Sequence, residues 1–357
     1  MILHAPPSRA IRHLTPSLLE PLATCRMRVS FMQSGNFGAP RSPAIRLGDA
    51  CHHVMDYLVS TRCLLGDQWD VDLQRKWREE IDRERAVQTS DDQVRWGQPE
   101  AWPNYELKRA RLRNLARSVR QLMLDLPSEA HLLTEHELSG RGGLLVGRAD
   151  LVVRSAECHI IVDYKSGSVV DAVTLAMIPA YENQLRIYAA LEREESGEWP
   201  QKAVLMPLNG PPIELVINPI QCDALADEAV ARLDAYNLAV PGPQPATPSP
   251  DACRRCAASC HCPEFWTAYG PAWTTDLIAL RGEVADVSLT SLGGITIRVQ
   301  VEVGAGGPVA EVHRLREADH PGVSALRIGD TFSAVGLHDG VDGSALYLPS
   351  TGQFARN

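Results

Sequence analysis

Two acidic residues and one lysine are the side chains in this sequence best suited to chemistry. Asp150 leads into the apolar run 151–153, and a second apolar run, 159–162, ends in Asp163 and Lys165. Side chains alternate along a strand, so Asp163 and Lys165 share one face. Carboxylates at the ends of adjacent strands can hold a divalent cation, and a neighbouring ammonium can stabilise negative charge on a phosphate under attack. The sequence therefore predicts a metal-assisted reaction centre.

The elements that must position these groups are typical of an α/β core with a mixed sheet. Strands are predicted at residues 136–138, 144–146, 150–153, 160–163, 203–206 and 213–217. Hydrophobic spacing predicts helices over 178–193 and 224–238. The charged, helical stretch from about 65 to 126 is predicted to be an insertion before the sheet. His52 is expected near the first turn of a helix that begins at about Gly48.

The end of the chain has a different pattern. A proline-rich connector at residues 241–250 leads to a group of cysteines, and five β-like stretches follow residue 273. Five strands in about 80 residues fit an OB-like barrel, and an SH3-like barrel would give a similar pattern. We therefore predict two domains: residues 1–270, which carry the reaction centre, and residues 271–357, a small all-β unit.

Composition restricts the classes of protein to which the chain can belong. Hydrophobic residues make up 45% and charged residues 22% of the chain, as in ordinary globular proteins. Neither a signal peptide nor a membrane span is predicted, so a cytoplasmic location is expected. The net charge of −9 argues against non-specific coating of nucleic acid. A basic stretch between Lys108 and Arg120 could still contact a nucleic acid strand, or it could be a solvated helix face.

The order and spacing of these motifs resemble the RecB-like branch of the PD-(D/E)XK nuclease superfamily. The resemblance rests on Gly48 and His52, on Gly147-x-x-Asp150, on Asp163-x-Lys165 and on Gln184-x-x-x-Tyr188. It implies a restriction-endonuclease-like mixed sheet flanked by helices. It also implies Mg or Mn held by His52, Asp150 and Asp163, with the Tyr164 carbonyl as a further ligand.

The same resemblance implies roles for three other side chains. Lys165 would be the catalytic lysine, and Gln184 and Tyr188 would support the site or contact DNA. The alternative interpretation makes the acids turn residues, the lysine a solvated strand end and the other two part of a helix packing face. Glu135 or Glu137 could be an additional acid near the site, but the interpretation that gives them no role there is preferred.

Nine cysteines provide a second line of resemblance. Cys253, Cys256, Cys260 and Cys262 lie within ten residues, and Cys25 lies far upstream. The pattern of Cys25, Cys253, Cys256 and Cys262 resembles the iron–sulfur staple of the AddB nuclease domain and of CRISPR-associated RecB-like exonucleases. It implies a structural 4Fe-4S cluster. A zinc site that uses Cys260 in place of Cys25 is the alternative.

The resemblance as a whole implies a metal-dependent deoxyribonuclease, an exonuclease acting on DNA ends or single strands in repair, CRISPR-type processing or phage defence. A catalytically silent scaffold that binds DNA or a protein, or a zinc-binding adaptor, is the alternative. The sequence has no phosphate-binding loop of a helicase, so unwinding would need a helicase partner. Beyond Trp273, the C-terminal β unit has only three aromatic residues, Phe332, Tyr347 and Phe354. Contact with a protein is therefore as plausible there as contact with DNA.

Overall fold

The computed structural model describes residues 6–35, 41–171, 174–290, 294–317, 319–320, 322–340, 345–349 and 352–356. The contacts divide the chain into two units, which we describe separately. The sheet unit comprises Ile11–Glu20 and Pro40–Ala235, and the barrel unit comprises Met1–Ala10, Pro21–Ala39 and Tyr236–Asn357. Residues 236–270 thus group with the C-terminal strands, whereas the sequence-based division at residue 270 remains a prediction.

Helices account for most of residues 16–124. In chain order they are α1 (Pro16–Thr24), α2 (Arg26–Ser34), α3 (Pro43–Ser60), α4 (Trp69–Val87), α5 (Ser90–Trp96), α6 (Tyr105–Leu124), α7 (Pro179–Ser196), α8 (Pro219–Asn237), α9 (Pro250–Arg254) and α10 (Pro263–Ala268). In the described part of the chain, no helix combines the length and the apolar character needed to cross a membrane.

Five strands form the sheet of the sheet unit. They are β1 (His131–Gly140), β2 (Leu145–Arg154), β3 (His159–Lys165), β4 (Lys202–Pro207) and β5 (Ile213–Val216), and they pair in this order. All neighbours are antiparallel except β3 and β4, which α7 connects as a parallel crossover. The predicted mixed sheet flanked by helices is confirmed.

The core of the sheet unit joins the sheet to the helical insertion. Side chains of α3, α4 and α6 pack with those of β2, β3 and β4 in one buried cluster that includes Trp77, Leu112 and Val162. The start of α3 is defined by Ser42, whose side chain accepts a hydrogen bond from the Ile45 amide, and by a proline in the first turn. This helix covers the strands that carry the reaction centre.

The helix that carries His52 begins earlier than predicted. It starts at Pro43 rather than near Gly48, so His52 lies in its third turn and not in its first. The two predicted strands at 144–146 and 150–153 are one continuous strand, β2. Asp150 therefore lies inside a strand and not at a strand end, because the chain between the two apolar stretches stays extended.

The strands of the barrel unit close a ring. They are β6 (Ile278–Leu289), β7 (Ile295–Gly304), β8 (Val309–Leu315), β9 (Thr331–Asp339), β10 (Leu346–Tyr347) and β11 (Gln353–Arg356). Pairing runs β6–β7–β8–β10–β9 and back to β6, with β8 and β10 parallel. This five-stranded ring confirms the predicted OB-like barrel. The short strand β11, which pairs with β9, was not predicted.

Candidate active site

An acidic residue occupies the same level on three neighbouring strands. Leu151 of β2 is paired with a residue of β1 on one side and with a residue of β3 on the other. The next level of the sheet, one position before Leu151, holds Glu135 on β1, Asp150 on β2 and Asp163 on β3. The regular backbone ladder is interrupted there, because neither register contains a pair at this level. The sheet therefore brings three carboxylates together at a point where backbone groups are released from ladder pairing.

Glu135 lies in this site, although the preferred sequence interpretation gave it no role. Its carboxylate and the side-chain ligand atoms of His52 and Asp150 all lie within 4.8 Å of one another. Its backbone has a φ of 46°, which an L-residue inside a strand rarely adopts. Burial raises the pKa of Glu135, and the charge of Asp150 raises it further. A strained, half-buried acid beside two other potential ligands is typical of a functional site.

Asp150 connects β3 to the helix α3. Its Oδ2 accepts a hydrogen bond of 2.5 Å from the Tyr164 amide, and its Oδ1 lies 3.1 Å from His52 Nδ1. Burial lowers the pKa of His52, but the hydrogen bond and charge of Asp150 outweigh burial, and the pKa is raised. The edge of the His52 ring also faces Tyr164, with 6.2 Å between ring centroids. His52 is therefore fixed against both strands of the site.

Gly48 allows α3 to approach the end of β3. A Cβ atom at this position would lie 2.7 Å from Ser166 Oγ, which is closer than real Cβ contacts. Gly48 lies four residues before His52, or about 6 Å along the helix axis. A side chain at Gly48 would force the Ser166 hydroxyl to rotate away, whereas Ser166 Cβ, at 3.5 Å, is at ordinary contact distance. The glycine therefore lets α3 and the Ser166 hydroxyl lie close together.

Asp163 is buried and makes contacts on both oxygens. Only 2% of its surface is exposed. Its Oδ1 accepts a hydrogen bond of 3.2 Å from Gln184 Nε2, and its Oδ2 forms an ion pair with Lys165 Nζ. Burial raises the pKa of Asp163 to about 6, whereas the charge of Lys165 opposes the rise. Lys165 also lies over the Tyr181 ring, with its Nζ 5.3 Å from the centroid.

Gln184 and Tyr188 lie on one face of α7 and support Asp163. Gln184 Nε2 donates to Asp163 and also to the Tyr188 hydroxyl, at 2.8 Å. The Tyr188 ring is buried against Gly147, where a Cβ atom would lie 2.6 Å from Tyr188 Cε1. Gly147 is thus required for close packing between β2 and α7. Gln184 thus links Tyr188 to Asp163, and the predicted roles of these two residues of α7 stay predictions.

The donor set fits a divalent cation. It combines an imidazole with carboxylates. Mn²⁺ accepts both kinds of ligand, whereas Mg²⁺ uses the carboxylate oxygens. Asp163 Oδ2 is buried, and within the described part of the chain no hydrogen bond of good geometry satisfies it. Asp163 lies outside the 4.8 Å group formed by His52, Glu135 and Asp150. The side chains of His52, Glu135 and Asp150 are therefore close enough together to share an ion, and Asp163 is a proposed further ligand.

A second group of possible ligands in the sheet unit has another explanation. His136, Glu192 and Glu195 also lie within 4.8 Å of one another. The Arg154 guanidinium, however, binds both Glu192 oxygens, at 2.7 and 2.8 Å, and reaches Glu195. His159 Nε2 lies 2.6 Å from the same Glu192. The carboxylates are already neutralised by cationic side chains, so this group is a buried ion network.

The predicted cluster cysteines lie together in the barrel unit. A single mainly apolar cavity is lined by the thiols of Cys25, Cys253, Cys256 and Cys262. Cys260 is buried elsewhere and does not line that cavity. Cys25 reaches the others because α2 packs beside the connector, where the Met27 amide donates to the Pro245 carbonyl at 3.2 Å. The structure thus groups the four thiols of the iron–sulfur hypothesis.

Two of the six cations between Lys108 and Arg120 form ion pairs with carboxylates among the described residues. Arg109 pairs with Glu106 at 2.9 Å, and both ends of the Arg113 guanidinium bind Asp70, at 2.5 and 2.8 Å. Lys108 differs, because it donates to the Ala44 carbonyl at 2.7 Å. Ion pairs therefore compensate only part of the charge of this helix face, and its contact with a nucleic acid strand stays a prediction.

Comparisons with known proteins bear on the family of the chain. A model of the PD-(D/E)XK nuclease superfamily matches residues 13–263. No curated protein sequence matches the chain significantly. Among solved structures, the chain is similar to a predicted exonuclease from Eubacterium rectale, at 12% identity over 64% of this chain and 82% of that chain, with a TM-score of 0.37. It is also similar to a protein named SSO0001, at 18% identity over 57% and 96% of the two chains, with a TM-score of 0.26. These two likenesses are too low to bear on activity.

Proposed function

Because the chain belongs to the PD-(D/E)XK nuclease superfamily, we propose that it is a deoxyribonuclease that hydrolyses phosphodiester bonds with the help of Mg²⁺ or Mn²⁺. The observation that carries the proposal is the row of Glu135, Asp150 and Asp163, with Lys165 paired to the last of them. A sheet core has no need for three carboxylates at one level. Together they suit a cation and a phosphate.

Each residue has a role that follows from its contacts. His52, Glu135, Asp150 and Asp163 would hold the cation, and the bound cation would supply Lewis-acid stabilisation of negative charge on the phosphate. Lys165 would place its ammonium beside the same charge, and its contact with the Tyr181 ring limits where that ammonium can lie. The Tyr164 carbonyl is a further proposed ligand.

Gln184 and Tyr188 would act through Asp163. Gln184 holds Asp163 Oδ1 in one orientation, and the Tyr188 hydroxyl holds Gln184. A carboxylate fixed from two sides loses little conformational freedom when it meets a ligand.

We propose that the substrate is DNA, cleaved at an end or in a single strand, and that the enzyme is an exonuclease.

Labelled DNA tests the proposal. Single- and double-stranded oligonucleotides, labelled at either end, are incubated with Mg²⁺, Mn²⁺ or EDTA, and an RNA of the same sequence is run in parallel. The parent protein should cleave DNA only with metal, and Asp163→Asn and Lys165→Met should each reduce the rate at least about a hundredfold. Asp125→Asn, on an exposed residue after α6, is the matched control. Binding of DNA without cleavage by the parent would instead identify a scaffold.

We also propose that Cys25, Cys253, Cys256 and Cys262 hold a structural iron–sulfur cluster. The support is that these four thiols line one cavity and Cys260 does not. Burial raises the pKa of Cys253 to about 11 and of Cys262 to about 12, so these thiols would ionise only beside a strong positive charge. Iron supplies such a charge, and thiolates are its usual ligands.

The cluster is tested by colour and by metal content. Protein purified without oxygen should be brown and contain iron and acid-labile sulfide, and Cys262→Ser should remove most of both. Cys260→Ser is the matched control and should retain them. A colourless protein with stoichiometric zinc, lost in Cys260→Ser, would establish the zinc site instead.

A further inference from the structure

Lysine is rare in this chain, and its distribution is informative. Only four of the 35 cationic residues are lysines. Lys76 pairs with Glu80 at 2.9 Å, Lys202 pairs with Glu214 at 2.5 Å, and Lys165 pairs with Asp163 in the candidate active site. The fourth, Lys108 on α6, has no carboxylate partner among the described residues. It is the exception and requires an explanation.

Lys108 reaches the edge of the candidate active site. A Cβ atom at Gly48 would lie 2.7 Å from Ser166 Oγ and 3.9 Å from Lys108 Nζ. The hydroxyl and the ammonium thus converge on one point of α3, about 6 Å along the helix from His52. Ser166 is the residue directly after Lys165. Two polar groups from distant parts of the sequence therefore lie around Gly48, on the helix that carries the proposed metal ligand His52.

These two groups have unused hydrogen-bonding capacity. The Lys108 ammonium has three donors, and the described residues use one of them, through the Ala44 carbonyl. The Ser166 hydroxyl makes no hydrogen bond within the described part of the chain. Burial lowers the pKa of Lys108, because removing its charge from water is unfavourable. An anion with several acceptor oxygens would satisfy both groups.

We propose that Lys108 and Ser166 form a phosphate-binding subsite for the nucleic acid strand, next to the phosphate that is cleaved. The inference rests on the proposed nuclease function and extends it to a named positioning contact. Ser166 directly follows Lys165, and a strand advances about 3.4 Å per nucleotide along the duplex axis and further when extended, so a phosphate held here would lie near the one that is cleaved. Lysine suits this position as a compact point charge at the end of a flexible stem.

The subsite predicts a change in binding that a structural role would not produce. Lys108→Met keeps the aliphatic stem and removes the charge. It should weaken binding of a fluorescent single strand in EDTA about tenfold, as expected for loss of one charge-assisted hydrogen bond. The slope of log K against log salt should also become shallower by about 0.7, the value for one phosphate contact on a single strand. Lys202→Met is the matched control and should leave both quantities unchanged.

Substrate variants locate the contact. A series of oligonucleotides is made in which one neutral methylphosphonate replaces each phosphate in turn. At one position, beside the cleaved phosphate, this replacement should raise the KM of the parent about tenfold. The same replacement should not raise the KM of Lys108→Met further, and it should raise the KM of Ser166→Ala by less than that of the parent. A Lys108→Met protein with a lower Tm and an unchanged salt slope would show a purely structural lysine and overturn the inference. If the parent cleaves no DNA at all, the proposed function fails, which the same assay separates from failure of the subsite.

Discussion

The packing of Gly147 against Tyr188 predicts that a single methyl group will disturb the candidate active site. In Gly147→Ala the new Cβ would lie 2.6 Å from Tyr188 Cε1 and 3.1 Å from Cδ1. Carbon atoms rest at about 3.5–4.0 Å, so the ring must move by roughly 1 Å. The ring is 5% exposed, and Gln184 donates to its hydroxyl. Overpacking of this kind typically costs about 1–3 kcal/mol.

The movement should also reach the chemistry. Gln184 binds both Tyr188 and Asp163, so displacement of the ring pulls on the hydrogen bond to Asp163 Oδ1. We therefore expect Gly147→Ala to lower the free energy of unfolding by about 2 kcal/mol and to lower metal-dependent cleavage. Gly167→Ala is the control, because its Cβ would meet no atom within 4 Å.

A double-mutant cycle in urea tests the steric cause. Tyr188→Ala removes the ring and should itself cost about 3 kcal/mol or more. If the clash is the cause, the double variant Gly147→Ala/Tyr188→Ala should be more stable than the sum of the two single changes predicts, by about the overpacking energy of 1–3 kcal/mol. Additive losses, or a Gly147→Ala protein as stable as its Gly167→Ala control, would refute the reasoning.

Three further predictions concern charge and metal. Glu192→Gln should cost about 3 kcal/mol at pH 7, because it leaves Arg154 and His159 without their buried partner. Since hydrogen bonds hold the pKa of Glu192 below its usual value of 4.5, this stability is present above pH 4.5 and is lost at lower pH; urea unfolding at several pH values checks it. Glu135→Gln should leave the metal-free protein at least as stable at pH 7, since a raised carboxyl pKa makes the ionised form unfavourable, and the difference should vanish below pH 4.5, while calorimetry shows weaker Mn²⁺ binding. His52→Ala should raise the Mn²⁺ concentration needed for half-maximal cleavage more than the Mg²⁺ concentration, because an imidazole ligand favours manganese; equal shifts would remove His52 from the ligand set.

Features that depend on neighbouring residues could be predicted from the sequence. The Asp163-x-Lys165 spacing places both side chains on one strand face, and the structure shows the resulting ion pair. The helical spacing of Gln184 and Tyr188 likewise predicts a shared face, where the two side chains are hydrogen-bonded. The mixed sheet and the barrel follow from strand-length apolar runs separated by turn residues.

Features that depend on distant contacts could not be predicted. Glu135 enters the site through strand register and a positive φ, and no local pattern indicates either. Gly48 and Gly147 were recognisable as motif residues, but the atoms that make them necessary belong to Ser166 and Tyr188, more than 40 residues away in the chain. The steric role of a glycine depends on its partner, which only the fold supplies.

The unfavourable features of the sheet unit are concentrated at one level of its sheet. Glu135 adopts a strained backbone conformation, burial raises the pKa of Asp163 to about 6, and the backbone ladder stops beside both. None of these features stabilises the fold, and a hydrophobic residue at each position would avoid the charge repulsion. Natural sequences are otherwise locally consistent with their structures, so several local conflicts at one point indicate a selected function. A cation at this level would relieve the repulsion among all three carboxylates at once, which no single side-chain contact of the site does.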